Sequence, residues 1–167
     1  MVRIDSSSDT GSAAVDGVLE PAGTDVETPD QRRQYAALPF RLKPDGGLEV
    51  MLITSRSTRR WIIPKGWPMG QRAPHKVAER EAMEEAGVSG RIAKRPLGAY
   101  HYDKLLADGS VARCRVEVYA LEVRKEKASW PERKRRERRW MGIEEAAGLA
   151  DDAELVPLIL SLRKDAP

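Results

Sequence analysis

The residues with the clearest chemical potential are three glutamates in the stretch Arg80-Glu81-Ala82-Met83-Glu84-Glu85-Ala86-Gly87-Val88. In a helix, Glu81 and Glu85 stack one turn apart, and Glu84 falls on the same stripe. Two unit charges ~4 Å apart repel by about 4 kcal/mol at an effective dielectric of ~20. Like charges at this spacing destabilise a helix even when solvated. A hard divalent cation removes the conflict. Mg2+, or Mn2+ in its place, takes oxygen ligands, keeps several waters and pairs with substrate phosphates. Arg80 sits four residues before Glu84 and is spaced to pin its carboxylate by a charge-assisted bond. The opposite stripe, Ala78, Ala82 and Ala86, is small enough to pack closely on a sheet. The same glutamates also read as an ordinary solvated face, so the helix alone leaves the metal reading open.

These carboxylates need elements to position them. Pro74 to Ala86 predicts the helix, with Pro in its first turn and Gly87 as its stop. Lys65 to Ala73, with two Gly and a Pro, predicts the loop that precedes it. Upstream, Gln34 to Leu42 and Leu48 to Thr54 predict two strands joined at the turn signal Pro44-Asp45-Gly46-Gly47. Trp61-Ile62-Ile63 predicts a short buried strand ended by Pro64. Downstream, Ile92 to Asp103 and Val111 to Arg124 predict strands joined near Ala107-Asp108-Gly109, and Arg138 to Met141 a short one. Gly142 to Leu149 and Asp152 to Arg163 predict helices, the last with Leu155, Leu158, Ile159 and Leu162 at helical spacing. A central helix interrupting strands, with helices closing the chain, predicts an α/β sandwich around a mixed sheet.

Composition bounds the rest. The 167 residues carry a net charge of +3 and are 41% hydrophobic and 33% charged, which excludes collagen, coiled coil and a wholly disordered chain. Residues 1–30 hold one basic group against seven acids, a net of −6, so the remainder carries +9. Rich in Ser, Gly, Thr and Ala and without an aromatic, those thirty residues predict a disordered acidic tail. Residues 31–167 predict a single basic domain, suited to an anionic partner or simply to solubility. No apolar run approaches the ~18 residues of a membrane span, and no signal peptide is visible at Met1-Val2-Arg3-Ile4-Asp5, so a cytoplasmic location is expected. One cysteine, Cys114, excludes an intrachain disulfide framework and a multi-cysteine metal site. Cys114 is expected buried and inert, Trp61 and Trp140 in the core, and His75 and His101 as ordinary surface or loop residues.

The spacing Gly66, thirteen residues, Arg80-Glu81-Ala82, one residue, Glu84-Glu85, one residue, Gly87-Val88 resembles the Nudix box. There is one departure: the box has Glu at the position of Arg72. The resemblance implies a Nudix-type α/β/α sandwich and a hydrolase using Mg2+ or Mn2+. Its metal ligands map onto Glu81, Glu84 and Glu85, helped by the Gly66 carbonyl. Flanking stretches 34–41, 52–56, 60–66, 130–132 and 137–140 resemble the subgroup that hydrolyses diphosphoinositol polyphosphates and dinucleoside polyphosphates. By that likeness Arg41, Ser55, Arg56 and Arg115 fall where phosphate-binding side chains lie, and Lys65 joins them. The implied reaction is attack of water on a P–O–P bridge, with Glu84 and Glu117 as candidate bases and Arg80 in support.

Six of the seven residues Arg133-Lys134-Arg135-Arg136-Glu137-Arg138-Arg139 are basic. The run suits a polyphosphate clamp, a nucleic-acid footprint, a solvated loop or a dock for the acidic tail. A small polyphosphate is the expected partner rather than nucleic acid or membrane, with oligomeric state open. The rival readings are an RNA 5′-end pyrophosphohydrolase and a binding module that has lost activity, with Arg72 as the symptom.

Overall fold

The computed structural model describes residues 32–165, and side chains to 163, so the acidic first thirty lie outside the described residues. Strands β1 (Arg32–Leu42) and β2 (Leu48–Thr54) form an antiparallel pair. The short β3 (Trp61–Ile62) extends β2. Helix α1 (Pro74–Glu81) runs on through a wider π turn, Ala82–Ala86, before β5 (Val88–Ile92). The chain continues as β6 (Gly98–Leu105), β7 (Val111–Glu126), β8 (Arg138–Gly142), α2 (Ile143–Leu149), a 3-10 turn at Ala153–Leu155, and α3 (Val156–Asp165). β1 and β7 run parallel at the centre while the other pairs are antiparallel, so the sheet is mixed.

Central strands bury both faces, as expected where helices cover both sides. Ala36, Leu38 and Phe40 point one way with Val50, Leu52, Val116 and Val118, under Ile143, Ala146, Leu155, Ile159 and Leu162 of the C-terminal helices. Full burial of each such large aliphatic contributes ~1.5–3 kcal/mol. Ala37, Met51, Ile53, Tyr119 and Leu121 point the other way, against Ala78, Ala82 and Ala86. The alanine stripe does pack on the sheet, and an α/β/α sandwich results.

Three local expectations change. Lys65–Gly66 is not wholly loop: it forms strand β4, with Gly66 opposite Tyr35 and Lys65 opposite Ala36. The single strand expected over 92–103 is two strands, β5 and β6. They occupy successive lengths of the same edge of β7, with β6 along Val111–Val118 and β5 along Leu121–Glu126. Pro96 falls in the break between them, where its missing N–H costs no ladder bond. The helix also ends in a π turn. Gly87 takes a left-handed φ of 67° and bonds back to the carbonyls of Ala82 and Met83, a conformation that favours glycine. Such turns are frequent at functional sites.

Candidate active site

One cleft of about 980 Å³ gathers Ser55, Arg56, Lys65, Gly66, Glu81, Glu84 and Glu85, together with Trp67, Lys104, Glu132, Arg135, Arg136 and Asp152. Antiparallel pairing of β4 with β1 brings Gly66 against α1. A Cβ there would lie 2.2 Å from Glu81 Oε1, so only glycine admits that carboxylate. Glu81 is 8% exposed and accepts no hydrogen bond among the described residues. Burial first, then Glu85, Glu84 and Glu132, push its pKa up to about 7.

Glu85 is equally buried but partnered. Its Oε2 accepts the Lys65 N–H at 3.2 Å and its Oε1 accepts Arg136 Nη2 at 3.2 Å. Burial still lifts its pKa to about 7, against the pull of Arg136 and Lys65. Glu84 is more exposed and its Oε1 accepts Arg80 Nε at 2.9 Å, the bond that the i,i+4 spacing anticipates. Arg80 thus acts on Glu84 and not on the cleft itself.

The basic run divides by position. Arg136 is a buried strut, donating to Glu85, to Glu132 Oε2 at 3.3 Å and to the Thr54 carbonyl at 3.1 Å. Arg138 stacks on Trp130 at 3.8 Å and donates to the carbonyls of Ala86, Gly87 and Lys127, closing the helix C-terminus. Arg139 pairs with Glu145. Of the seven, Arg135 and Arg136 line the cleft, so the run is not one clamp. Arg136 is what the sequence reading missed. Its only signal is Glu132 four residues earlier, inconspicuous in a run of like charges.

Arg56 reaches Glu132 as an ion pair, with its side chain 55% exposed. Ser55 shapes its loop, its Oγ bonding Thr58 Oγ1 at 2.7 Å and accepting the Arg60 N–H at 2.9 Å. Lys65 Nζ sits 5.0 Å from the Tyr102 ring centre. Burial holds its pKa below the usual lysine value, against the pull of Glu85 and Asp152.

The structure does not bring Arg41, Arg115 or Glu117 to the cleft. Arg41 lies seven residues along β1 from the cleft residue Gln34, roughly 23 Å at ~3.3 Å per residue. There it pairs with Glu49 and Glu126 and stacks on Trp140. Arg115 and Glu117 pair with each other at 3.4 Å, and Tyr119 Oη donates to Glu117. Strand alternation puts them beside Tyr119, on the α1 side of the sheet, with Glu117 opposite Tyr35, the residue that pairs with Gly66. Arg72 is exposed and does not line the cleft either. Trp61 and Trp140 pack against the two cores and Cys114 is buried, as expected.

Among the described residues no three Asp, Glu, His or Cys side chains form a ready-made metal cage. The physical reason is local: Arg80 draws Glu84 one way, while Arg136 and the Lys65 amide draw Glu85 another. The donor set nonetheless suits a hard cation. It is oxygen-only, it includes an unpartnered buried carboxylate at Glu81, and that carboxylate lies against a glycine backbone. A cation that keeps most of its waters needs few protein ligands.

Known proteins resemble this chain in sequence and in fold. Nudix hydrolase 13, mitochondrial, of Arabidopsis thaliana is 38% identical over 129 residues, covering 72% of this chain and 60% of that protein. Diphosphoinositol polyphosphate phosphohydrolase 3-alpha of Homo sapiens is 32% identical over 118 residues, covering 69% of this chain and 66% of that protein. The matched part spans between 52% and 60% of the length of three Arabidopsis relatives. The crystal structure of C. elegans Ap4A hydrolase shares the fold, with a TM-score of 0.59 at 19% identity, covering 81% of this chain and 98% of that one. The model of the NUDIX domain matches residues 32–159, from the first strand of the sheet into the last helix, and the chain belongs to the Nudix domain family.

Proposed function

We propose that this chain is a divalent-metal-dependent pyrophosphohydrolase that cleaves a P–O–P bond in a small polyphosphorylated molecule, of the dinucleoside polyphosphate or diphosphoinositol polyphosphate type. The observation that carries it is the meeting of Glu81, Glu84 and Glu85 with Gly66, Lys65 and Arg56 in one cleft. A human relative named for diphosphoinositol polyphosphates and a structural neighbour named for Ap4A support the same reading. Glu81, Glu84, Glu85 and the Gly66 carbonyl would hold Mg2+ or Mn2+. Such an ion supplies neutralisation of phosphate charge and a more acidic water.

The side chains divide the remaining work. Arg80 fixes Glu84, and Arg136 fixes Glu85, so neither carboxylate must be ordered at the moment of reaction. Lys65, Arg56 and Arg135 bind the non-reacting phosphates. Water attacks one phosphorus, the bridging P–O bond breaks, and the second phosphate leaves with the electron pair. Glu84, whose Oε2 remains unbonded among the described residues, takes the proton from that water. Glu117, engaged by Arg115 and Tyr119, is the second candidate base.

The test is product release from diadenosine tetraphosphate, a diphosphoinositol polyphosphate, ADP-ribose and 5′-triphosphorylated RNA, with Mg2+, with Mn2+ and with EDTA. Metal-dependent turnover, fastest on the small substrates with four or more phosphates, is expected. No metal-dependent turnover on any of them would leave a binding module. Among the described residues no helix is long and apolar enough to cross a membrane. We propose a cytoplasmic location, although five relatives carry "mitochondrial" in their names, and fractionation of the full chain decides.

A further inference from the structure

A helix leaves its last four backbone carbonyls without a donor of its own. At the end of the π turn these belong to Glu84, Glu85, Ala86 and Gly87, and one distant segment supplies a donor to each. It is the connection from β7 to β8, between Lys127 and Arg138. The Glu132 N–H donates to the Glu84 carbonyl at 3.1 Å, and the Trp130 indole N–H to the Glu85 carbonyl at 3.3 Å. Arg138 Nη1 donates to the Ala86 carbonyl at 2.9 Å and the Gly87 carbonyl at 3.3 Å. The Lys127 N–H also donates to Gly87, at 2.8 Å.

Gly87 admits this segment. A Cβ there would lie 2.5 Å from Trp130 Cδ2 and 2.8 Å from Arg138 Nη1, so a side chain would push the indole off the turn. The same segment reaches round to the cleft. Arg136, six residues after Trp130, holds Glu85 Oε1. Glu85 is therefore gripped at both ends, its carbonyl by Trp130 and its carboxylate by Arg136. Water alone can satisfy a helix end. Here the donors hold a π turn, the rarer winding. Closing it to an ordinary turn would re-aim the side chains beyond it by up to about 100°, one residue's step. Glu85 lies inside that turn and lines the cleft.

We infer that Trp130, backed by Arg138, is a positioning residue for the cation site: it fixes the π turn through the Glu85 carbonyl, so that the Glu85 carboxylate faces the cleft. Trp130 does not itself line the cleft, and it acts through Glu85. This inference rests on Glu81, Glu84 and Glu85 being the cation site, and it deepens that reading by assigning what sets their geometry. Partners that orient a ligating side chain typically change metal affinity by about tenfold to a hundredfold.

The experiment is Mn2+ affinity of the full chain at pH 8, by electron paramagnetic resonance, with the melting temperature in EDTA measured alongside. It needs no turnover. Trp130→Phe keeps a ring against Gly87 and Arg138 and deletes the indole N–H. Trp140→Phe is the control: it also loses an indole N–H bond, to Glu126 at 3.0 Å, and neither Trp140 nor Glu126 lines the cleft. Trp130→Phe is expected to weaken Mn2+ binding by about tenfold, while Trp140→Phe leaves it at the wild-type value. A cap that serves stability alone would lower the melting temperature and keep the Mn2+ affinity. Where Trp130→Phe does not fold, Arg138→Lys, which has no fork to span several carbonyls, is read by the same criterion. Wild-type affinity in the folded variant, or equal weakening by Trp140→Phe, overturns the inference and leaves the cation site standing. No saturable Mn2+ binding by wild type overturns both.

Discussion

Replacing Glu81 with glutamine tests whether its carboxylate is held at a cost to the fold. Glu81 is 8% exposed, and its pKa rises from 4.5 to about 7 through burial and then through its acidic neighbours. At ~1.36 kcal/mol per tenfold change in proton affinity, that rise sets a ceiling of about 3 kcal/mol. Glu85 shares the same repulsion, so roughly 1–3 kcal/mol is the working figure. The sign follows from proton counting. Between pH 4.5 and about 7 the folded chain binds more protons than the unfolded one, so metal-free stability falls as pH rises through that window. Glu81→Gln removes the charge without removing a hydrogen bond. In EDTA at pH 8 it should melt higher than wild type, by roughly 2–10 °C for a chain of this size. At pH 5, where the wild-type carboxyl is protonated, the two should melt together. Adding Mg2+ at pH 8 should raise the melting temperature of wild type and not of the variant. Thermal melts at two pH values with and without metal give the answer. A variant that melts below wild type at pH 8 in EDTA refutes the reasoning, because Glu81 would then be contributing a bond rather than carrying strain.

Three further outcomes follow from the same geometry. Arg136→Met leaves Glu85 and Glu132 buried without their cation, which should cost about 3–5 kcal/mol at pH 8; the loss should shrink at pH 5, where Glu85 is protonated, and denaturant unfolding at both pH values checks it. Gly66→Ala drives a methyl into Glu81 Oε1, 2.2 Å from where the Cβ would stand, so metal-dependent turnover should fall by orders of magnitude, read as kcat with saturating Mg2+. Substrate held by exposed cations such as Arg56 should show a KM that climbs with KCl while kcat stays level, since charges are screened beyond ~8 Å at physiological ionic strength; a KM insensitive to salt would remove Arg56 and its neighbours from binding.

Much of this architecture was legible in the sequence because it rests on local rules. Alternation in Leu48–Thr54 sends Val50 and Leu52 to one face and Met51 and Ile53 to the other. Pro74 and Gly87 bracket the central helix, and the Arg80–Glu84 bond follows from i,i+4 spacing alone. What stayed hidden depends on distance between elements. Two residues, Lys65 and Gly66, are too few for any period, yet their pairing with β1 sets Gly66 against Glu81. Arg41 carries the right charge for the site, but strand length removes it to the far end of β1. Within 133–139 nothing in the residue types separates Arg136, which is buried between two glutamates, from its exposed neighbours. The π turn was equally illegible. It changes the angular step after Glu81, and Glu85 turns inward to the Lys65 amide and Arg136.

The claim that the three glutamates form a cation site for phosphoanhydride cleavage is tested most directly by titrating Mn2+ into the protein and counting free Mn2+ by electron paramagnetic resonance. Wild type, Glu81→Gln, Glu84→Gln and Glu85→Gln would be compared at pH 8. Saturable binding in wild type, weakened by about tenfold or more in each variant, is expected. Absence of binding to wild type, or variants that bind Mn2+ as well as wild type does, would contradict the claim.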